Sequence, residues 1–257
     1  MSEALPGPGE TLDSLAGSWR ILQLARGHRF SSDDLCCAWA AARARPGALR
    51  LLDLGAGIGS VGLLALHCMS PEARLVMVEA QAESHGLARR TVALNGLDAR
   101  VEARLGDLRD PASVPEEAAF DLITCSPPYI PAGRGVASPV PQRAAARLEL
   151  RGDVFDYLRC AARALAPGGR VSLVHAASDP RPPQAFAAAG LAPEWQAEVY
   201  FRSGRPPALR LWVGGRAEEV GAPCRSALPI VLRDRGGRFT WRYLQLRWEM
   251  GHPWMRY

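Results

Sequence analysis

Short apolar runs alternate with longer amphipathic segments from about residue 49 to residue 174, a pattern typical of a parallel sheet covered by helices on both faces. The apolar runs predict buried strands at residues 49–54, 74–78, 100–105, 120–125 and 170–174. The segments between them predict helices at residues 61–68, 83–94 and 155–165. We therefore predict an α/β fold with a doubly wound, mostly parallel sheet.

The chain before the first strand predicts two helices, over residues 10–25 and 33–44. The second is expected to have Ser31 or Ser32 as its N-cap, because a hydroxyl there can accept a hydrogen bond from the first turn. An N-terminal extension over residues 1–48 is therefore expected to be helical.

The chain after the parallel strands changes character. Residues 192–201 and 208–214 predict an antiparallel strand pair joined by a turn at 204–207. Asp234, Gly236 and Gly237 predict a further turn after an apolar stretch. Within the preceding α/β segment, Pro167, Gly168 and Gly169 predict the end of a helix and a turn into the last parallel strand.

Charge is distributed unevenly along the chain. Residues 200–257 contain eleven arginines against four acids, whereas the rest contains twenty arginines against twenty-two acids. This asymmetry suggests a polyanionic partner, with a solvated basic surface as the open alternative. We therefore expect a core over residues 49–215 and a basic extension over residues 216–257 that packs on it.

Composition excludes several classes of protein. With 257 residues, 48% hydrophobic and 22% charged, the chain can bury a large core, so disorder is not expected. It has no apolar run of the roughly 18 residues that a membrane span needs, and residues 1–10 do not resemble a secretory signal, so we expect a cytoplasmic protein. Six scattered cysteines are expected to be reduced, and the spacing of the five histidines predicts no metal site.

A glycine-rich loop follows the first predicted strand and reads Asp53-Leu54-Gly55-Ala56-Gly57-Ile58-Gly59. Three glycines, beginning at Gly57, satisfy G-x-G-x-x-G, and Glu79 ends the next strand about 20 residues later, as in a dinucleotide site. However, a carboxylate at Asp53 would repel a pyrophosphate, whereas it complements the ammonium group of S-adenosylmethionine. The loop therefore favours S-adenosylmethionine over a nicotinamide cofactor.

Two more acids follow predicted strands. Glu79 can accept hydrogen bonds from both hydroxyls of a ribose, and Asp107 is expected near the adenine amine of the same cofactor. Two alternatives remain open: Glu79 is a solvated acid at a strand end, or Asp107 caps a turn or helix.

The fourth strand runs directly into Ser126-Pro127-Pro128-Tyr129. Ligands in such sheets collect at the carboxyl ends of strands, so this loop is expected to face the same crevice as the glycine loop. The prolines fix the backbone and leave carbonyl acceptors, and Tyr129 offers a flat ring for stacking on a base.

The loop suits methyl transfer to a planar amine, whose lone pair is conjugated into a ring and is a poor nucleophile. The Ser126 side chain and the Pro127 carbonyl can accept both N–H hydrogens and let the nitrogen become tetrahedral. The lone pair can then attack a sulfonium methyl group in line. We therefore predict that Ser126, Pro127, Pro128 and Tyr129 form the catalytic loop.

These motifs resemble class I S-adenosylmethionine-dependent methyltransferases, whose amino-group branch carries an Asn/Asp/Ser-Pro-Pro-Tyr/Phe/Trp loop. More narrowly, the chain resembles the bacterial tRNA (adenine-N6) methyltransferase family acting on valine tRNA, over roughly residues 20–245. The matching segments are residues 27–33, 53–59, 126–129 and 141–147, with looser similarity at 205–212 and 228–244. The resemblance implies a Rossmann-like fold with a seven-stranded sheet, S-adenosylmethionine as cofactor and tRNA as partner.

The resemblance also implies roles for single residues. It places Asp33, at the end of the segment Arg29 to Asp33, beside the cofactor, and Arg143 and Arg147 near the substrate. A solvated loop with charged ends is the alternative reading of these two arginines. Arg235 and Arg238, in the basic extension, are expected to contact RNA phosphates.

Ser126 departs from the family pattern, because the tRNA family has Asn there and serine is usual in the cytosine-N4 branch of DNA methyltransferases. Four functions therefore remain open. Methylation of adenine N6 in tRNA is favoured, and protein-glutamine N5-methylation is second, although its N-terminal recognition domain needs more than the roughly 48 residues before the first strand. A DNA amino-methyltransferase is third, and a nicotinamide-dependent oxidoreductase or a silent binding module is last.

Overall fold

The computed structural model describes residues 5–131, 133, 139–221 and 223–252. Its strands are β1 (Glu10–Ala16), β2 (Trp19–Leu24), β3 (Arg50–Leu54), β4 (Arg74–Glu79), β5 (Val101–Leu105), β6 (Phe120–Cys125), β7 (Leu165–Ala176), β8 (Leu191–Tyr200), β9 (Leu209–Arg216), β10 (Arg225–Ser226) and β11 (Ile230–Val231). Its helices are α1 (Ser32–Ala44), α2 (Ser60–His67), α3 (Ala82–Leu94), α4 (Pro141–Arg147), α5 (Val154–Ala164), α6 (Arg181–Ala188) and α7 (Trp241–Glu249).

A nine-stranded sheet organises the described residues, in the order β10-β8-β9-β7-β6-β3-β4-β5, with β11 also paired to β8. β9 is antiparallel to both of its neighbours, and every other pairing in this sheet is parallel. The carboxyl ends of β3 to β8 and of β11 therefore meet at one edge, called here the carboxyl edge. The predicted α/β fold is confirmed, with two short strands added beyond the seven long ones.

The sheet is buried on both faces. Successive residues of β3 point into different apolar clusters: Leu51 packs with residues of α1, α2, α3 and α7, and Leu52 with residues of α5 and α6. This alternation explains why the strands read as continuous apolar runs, since each successive side chain meets a different layer of helices. Within the described residues, no helix is long and apolar enough to cross a membrane.

The helix predicted over residues 10–25 is wrong, because this segment is a β-hairpin of β1 and β2. Ala16 pairs with Trp19, which leaves a two-residue turn that begins at Gly17 with a φ of 53°. A Gly-Ser turn between two apolar segments is a hairpin signal that the helical spacing obscured. The hairpin is fastened to α3 by the Leu22 N–H, which donates to Thr91 Oγ1 at 3.1 Å. The N-terminal extension is therefore only partly helical.

Helix α1 begins as predicted, with Ser31 at the N-cap in extended backbone. The Asp34 carboxylate accepts the Ser31 N–H at 2.8 Å, so the cap is a reciprocal capping box. The helices predicted at 61–68, 83–94 and 155–165 are also confirmed, with bounds that differ by about one residue.

The sequence predicted that Pro167, Gly168 and Gly169 form a turn between a helix and the next strand. This prediction is wrong, because the segment lies within β7. Strand β7 already pairs with β6 at Leu165, and the register shifts before Arg170. Gly168 has a φ of 71°, so the segment is an irregularity within β7 rather than a turn before it.

The C-terminal strand pair β8–β9 and the turn from Asp234 to Gly237 are confirmed, the latter by a Gly237 N–H bond to the Asp234 carbonyl at 3.1 Å. Helix α7 was not predicted. Its N-cap, Thr240, accepts a hydrogen bond from the Tyr243 N–H, and Tyr243 and Leu246 enter the same core as α1. The described part of the basic extension therefore packs on the core, while the exact division into three parts remains an expectation.

We predict that Gly17→Ala destabilises the protein more than Gly9→Ala. Both glycines have positive φ, but a Cβ at Gly17 would lie 2.8 Å from His67 Nε2, whereas a Cβ at Gly9 would meet no heavy atom within 4 Å. The shared backbone strain costs about 1 kcal/mol, and overpacking at Gly17 adds about 1 to 3 kcal/mol. Urea unfolding of the two variants measures this difference. Equal stability of both would show that the hairpin turn is not packed against α2.

Candidate active site at the carboxyl edge

Two adjoining cavities lie where β3, β4 and β6 end. The first is lined by the glycine loop and Glu79, and the second, of about 560 Å³, is lined by residues 126–130 and several arginines. Both cavities are lined by His28, Ser126 and Pro128. The catalytic loop predicted from the sequence is therefore the wall between them.

Asp53 lies in the first cavity and is 1% exposed. One carboxylate oxygen accepts the Gly62 N–H at 2.9 Å, and the other accepts the Thr124 hydroxyl at 2.6 Å. Burial raises the pKa of this carboxyl to about 7, against the two hydrogen bonds, which favour its charged form. A Cβ at Gly62 would come within 2.8 Å of Asp53, so only glycine allows this approach of α2.

Glu79 also lies in the first cavity, and it shapes the glycine loop. Its Oε2 accepts the Gly57 N–H at 2.8 Å and its Oε1 accepts the Gln81 N–H at 2.6 Å. Burial raises its pKa. Gly55 and Gly57 line the cavity, while Gly59 is the N-cap of α2 in the left-handed region. The sequence thus identified the acids and glycines that the fold brings together.

Asp107 is placed differently from its neighbours. Gly106 and Leu108 line the first cavity, but the Asp107 carboxylate pairs with Arg109 at 2.6 Å, and this pairing lowers its pKa. Contact between Asp107 and a cofactor amine would require this ion pair to open.

Asp33 lines the second cavity rather than the first, so it lies across the catalytic loop from Asp53 and Glu79. Its carboxylate accepts the Tyr129 hydroxyl at 3.3 Å. The adjacent Asp34 lies in the first cavity instead, where burial and the charge of Asp33 raise its pKa well above the ordinary value. Successive residues at the start of α1 therefore point into different cavities, which a linear motif does not reveal.

Tyr157 is a second residue of the first cavity that sequence reasoning missed. It lies on α5 with 5% exposure, against Gly55, where even a Cβ would overlap its hydroxyl. Its helical spacing indicates only a core position, so the sequence carries no separate signal for this contact.

Tyr129 is held from two sides in the wall of the second cavity. Besides its bond to Asp33, its ring packs edge-on against His175, with centroids 5.2 Å apart. Burial raises the pKa of Tyr129 well above its usual value, so its hydroxyl remains a donor. The ring is thus fixed in place before any substrate enters.

Arg143 and Arg147 of α4 line the second cavity, as expected, together with Arg26 and Arg29. Burial lowers the pKa of His28 between the two cavities; the charge of Asp33 opposes this shift, and the charges of Arg143 and Arg147 add to it. The second cavity is therefore strongly basic.

Gln142 fixes the position of α4 and is 2% exposed. Its carbonyl oxygen accepts the His28 N–H at 2.6 Å, and its amide nitrogen donates to Ser84 Oγ at 3.0 Å. One side chain therefore joins α4 to the segment before α1 and to α3.

A buried polar cluster lies behind Tyr129. Arg181 pairs with Glu149, which follows α4, and with Asp179, which follows β7. His175 completes the cluster. One ring nitrogen of His175 and one carboxylate oxygen each of Glu149 and Asp179 lie within 4.8 Å of one another. The sequence did not reveal this grouping, because Glu149 lies 26 residues before His175 and is brought to it only by the fold. Arg181 already supplies the positive charge between the two carboxylates.

Arg235 and Arg238 lie outside both cavities, in the exposed turn between β11 and α7. Because β11 is parallel to β8, this turn and the turn after β8, which contains Arg202 and Arg205, share the carboxyl edge. The two turns touch, since a Cβ at Gly237 would lie 2.8 Å from Arg202 Nη2. We call these four arginines the basic edge. Three strand spacings separate the turn after β8 from β6, and four separate the turn after β11 from it, about 14 and 19 Å.

Comparisons with known proteins agree with this geometry. The family model of the methyltransferase small domain matches residues 42–187. The release factor glutamine methyltransferase of Deinococcus radiodurans is 36% identical over 156 residues, which are 58% of this chain and 52% of that protein. The tRNA1(Val) (adenine(37)-N6)-methyltransferase of Aeromonas salmonicida is 32% identical over 125 residues, which are 49% of this chain and 50% of that protein. The chain thus spans about half the length of these relatives.

A solved structure of a predicted O-methyltransferase, Atu636 from Agrobacterium tumefaciens, matches with a TM-score of 0.61 and 20% identity, over 86% of this chain and 98% of that one. At this identity the match supports the fold alone. The prediction of S-adenosylmethionine rather than a nicotinamide is confirmed by the family. The chain belongs to the methyltransferase small domain family and is an S-adenosylmethionine-dependent methyltransferase.

Proposed function

We propose that this methyltransferase acts on an exocyclic amino nitrogen of a nucleobase in RNA, namely adenine N6 in tRNA. The observation that carries the proposal is the position of the Ser126–Tyr129 loop between a cavity lined by acids and glycines and a cavity lined by four arginines. One cavity suits the cofactor and the other an anionic, planar substrate.

The first cavity fits the cofactor. Gly57 has a φ of 57°, and a Cβ there would meet no heavy atom within 4 Å, so the backbone is open to a ligand. Asp53 would face the ammonium group, and Glu79 the ribose hydroxyls. Bound S-adenosylmethionine supplies a methyl group made electrophilic by its sulfonium. Asp33 lies on the other side of the catalytic loop, and we assign it to holding Tyr129 instead.

The second cavity would orient the base. The Tyr129 ring, held by Asp33 and His175, would stack on it, while the Ser126 hydroxyl and the Pro127 carbonyl accept the two N–H hydrogens of the amine. With both hydrogens held, the nitrogen lone pair would be free to accept the methyl group that bound S-adenosylmethionine would supply, with S-adenosylhomocysteine as the leaving group and one N–H proton released to solvent. Arg143 and Arg147 would hold phosphates beside the target nucleotide.

Protein-glutamine N5-methylation is the second candidate. The Deinococcus radiodurans relative named for this activity matches 58% of the chain, more than the tRNA methyltransferase of Aeromonas salmonicida. A side-chain amide is also a planar, conjugated nitrogen and suits the same loop. The arginines of the second cavity and of the basic edge favour RNA, because an amide substrate needs no such excess of positive charge.

The proposal is tested by offering both substrates to one enzyme preparation. Unmodified bulk tRNA and purified peptide chain release factor are each incubated with S-adenosylmethionine carrying a labelled methyl group. We expect label in the RNA. Label confined to the release factor would replace the proposal with the second candidate.

We predict that Asp53→Asn weakens binding of S-adenosylhomocysteine by about ten- to a hundredfold, the effect of a charged hydrogen bond. Because the pKa of Asp53 is about 7, wild-type affinity should also fall about tenfold between pH 8 and pH 6 as the carboxyl takes up a proton. Calorimetry at both pH values measures each effect. The control is Asp98→Asn, which removes an exposed carboxylate. Binding by Asp53→Asn equal to that of this control would remove Asp53 from the cofactor site.

The same substitution should stabilise the protein without ligand at pH 8. The pKa of Asp53 is about 7 in the folded protein but near 4 in an unfolded chain, so folding favours the protonated form. Wild-type stability therefore falls as pH rises from about 4 to 7, and Asp53→Asn loses this decline. We expect a gain of about 1 to 4 kcal/mol at pH 8 and a smaller one at pH 5. Urea unfolding that shows no pH-dependent difference would contradict the assignment of a buried, proton-binding Asp53.

We predict that Ser126→Ala lowers turnover by about tenfold or more and leaves cofactor affinity unchanged, because the lost hydrogen bond strengthens in the transition state. Ser126→Asn should retain activity, since an amide oxygen can accept the same hydrogen. Ser14→Ala, which changes an exposed hydroxyl in the hairpin, is the control. Single-turnover methylation of bulk tRNA gives the rates, and an alanine variant as fast as this control would exclude Ser126 from catalysis.

We predict that tRNA affinity falls steeply with salt, with a slope of about −0.7 to −0.9 per phosphate neutralised. Replacing Arg235 and Arg238 together by Gln should weaken binding and flatten this slope by about one or two units, without changing which base is methylated. Filter binding between low and physiological salt measures the slopes, with Arg159→Gln, which changes an exposed arginine of α5, as control. A flat wild-type salt response would favour the glutamine substrate.

A further inference from the structure

A groove lies on the face of the sheet that α1 and α7 cover, away from the catalytic loop. It consists of two cavities, of about 130 and 470 Å³, that share Trp39, Arg43 and Arg242. Trp195 and Arg225 line the larger one. We call these five residues the tryptophan groove.

The aromatic side chains of the groove are fixed in position. Trp39 and Trp195 are both partly buried and pack against the core, and Trp39 Nε1 donates to a Glu249 oxygen at 2.7 Å. A stacking surface that is already ordered loses little entropy when a ligand binds. Arg43 already lies over the Trp39 ring, with its guanidinium carbon 5.2 Å from the ring centroid, so a planar ligand would stack on Trp195 or take the place of Arg43 on Trp39.

The charge of the groove is positive. Of the described residues that line it, three are arginines and one is an acid, Glu249, which is engaged by Trp39 and lies 3.6 Å from Arg43. Arg225 pairs with Glu194 at 2.9 Å, so a phosphate at Arg225 would compete with this acid, as it would with Glu249 at Arg43. The Arg43 and Arg225 side chains are nevertheless 60% and 71% exposed, and aromatic rings beside exposed arginines are typical of surfaces that bind single-stranded nucleic acid.

The groove continues the basic edge. Arg242 lies in the first turn of α7, and that helix begins at the carboxyl edge, where the Thr240 N–H donates to the Leu232 carbonyl at 3.0 Å. Arg225 lies further along, where β10 pairs with Trp195 in the middle of β8. Helix α1 begins at Ser32, beside the second cavity, and Trp39 lies seven residues further along this helix, at a distance of about 10 Å. Positive charge thus extends from the carboxyl edge into the groove.

We propose that the tryptophan groove binds an unpaired segment of the RNA substrate, with a base stacked on Trp39 or Trp195 and phosphates at Arg43, Arg225 and Arg242. This proposal rests on the proposed function. Tryptophan and arginine are also common at protein interfaces, but the excess of cations favours a polyanion over a neutral protein surface. The groove would hold RNA outside the target nucleotide and so position it for the catalytic loop.

The experiment compares Arg225→Gln/Arg242→Gln with Arg159→Gln in the full chain. Arg225 and Arg159 are matched, because each is more than two-thirds exposed and paired with one acid, but Arg159 lies on α5 at the other face. The probes are a fluorescein-labelled 12-nucleotide single-stranded RNA and bulk tRNA, followed by anisotropy at several salt concentrations. We expect roughly tenfold weaker binding of both probes by the double variant, and a salt slope flatter by about one to two units. The control should match wild type.

Trp195→Leu provides a second test that does not change charge. It should weaken binding of the 12-nucleotide RNA about five- to tenfold through lost stacking and leave the salt slope unchanged. Calorimetry with S-adenosylhomocysteine should give wild-type affinity for every variant, which shows that each is folded.

The outcomes separate the two proposals. RNA binding by wild type with equal affinity in the groove variants and the control would overturn the groove and leave the proposed function standing. No RNA binding by wild type would overturn the proposed function and the groove with it. A wild-type dimer that dissociates on groove substitution, with RNA affinity unchanged, would make the groove an interface between copies and also overturn the proposal.

Discussion

The buried carboxylate of Asp53 is the constraint on which the candidate active site depends. It joins three elements, because it lies on β3, accepts the Gly62 N–H of α2 and accepts the Thr124 hydroxyl of β6. These bonds fix the position of the glycine loop relative to β6, the strand that leads to Ser126. Their cost is a charge held away from water, which raises the pKa of Asp53 to about 7. A cationic ligand group would relieve this cost, so cofactor binding and the local fold are coupled.

The catalytic loop is positioned by contacts on both sides. Tyr129 is held by Asp33 and His175, and the chain after α4 returns to Ile130, where a backbone bridge to Leu148 and the nearby Arg181 ion pairs fix it. Such support makes the wall between the two cavities rigid. A site for in-line transfer needs this rigidity, because the amine and the methyl group must meet within a narrow range of distance and angle.

The sequence predicted the parts of the site that follow from strand ends, and it missed those that depend on packing. Asp53 and Glu79 each end or nearly end an apolar run, and parallel strands bring their ends together, so both could be placed from the sequence. Asp34 could not, because the face of α1 that meets the cavity depends on how the helix packs. The hairpin over residues 10–25 was missed because apolar spacing there fits two periods. The tryptophan groove joins α1, α7 and β8, which only the tertiary fold brings together.

The central claim is that this methyltransferase modifies a base amine of RNA. Nucleoside mass spectrometry of total RNA from cells with and without the protein tests it most directly, since the modified base is identified without assuming a substrate. The account predicts N6-methyladenosine in the tRNA fraction that disappears without the protein and returns when the wild-type chain, but not Ser126→Ala, is restored. An identical set of methylated nucleosides in the presence and absence of the protein would contradict it.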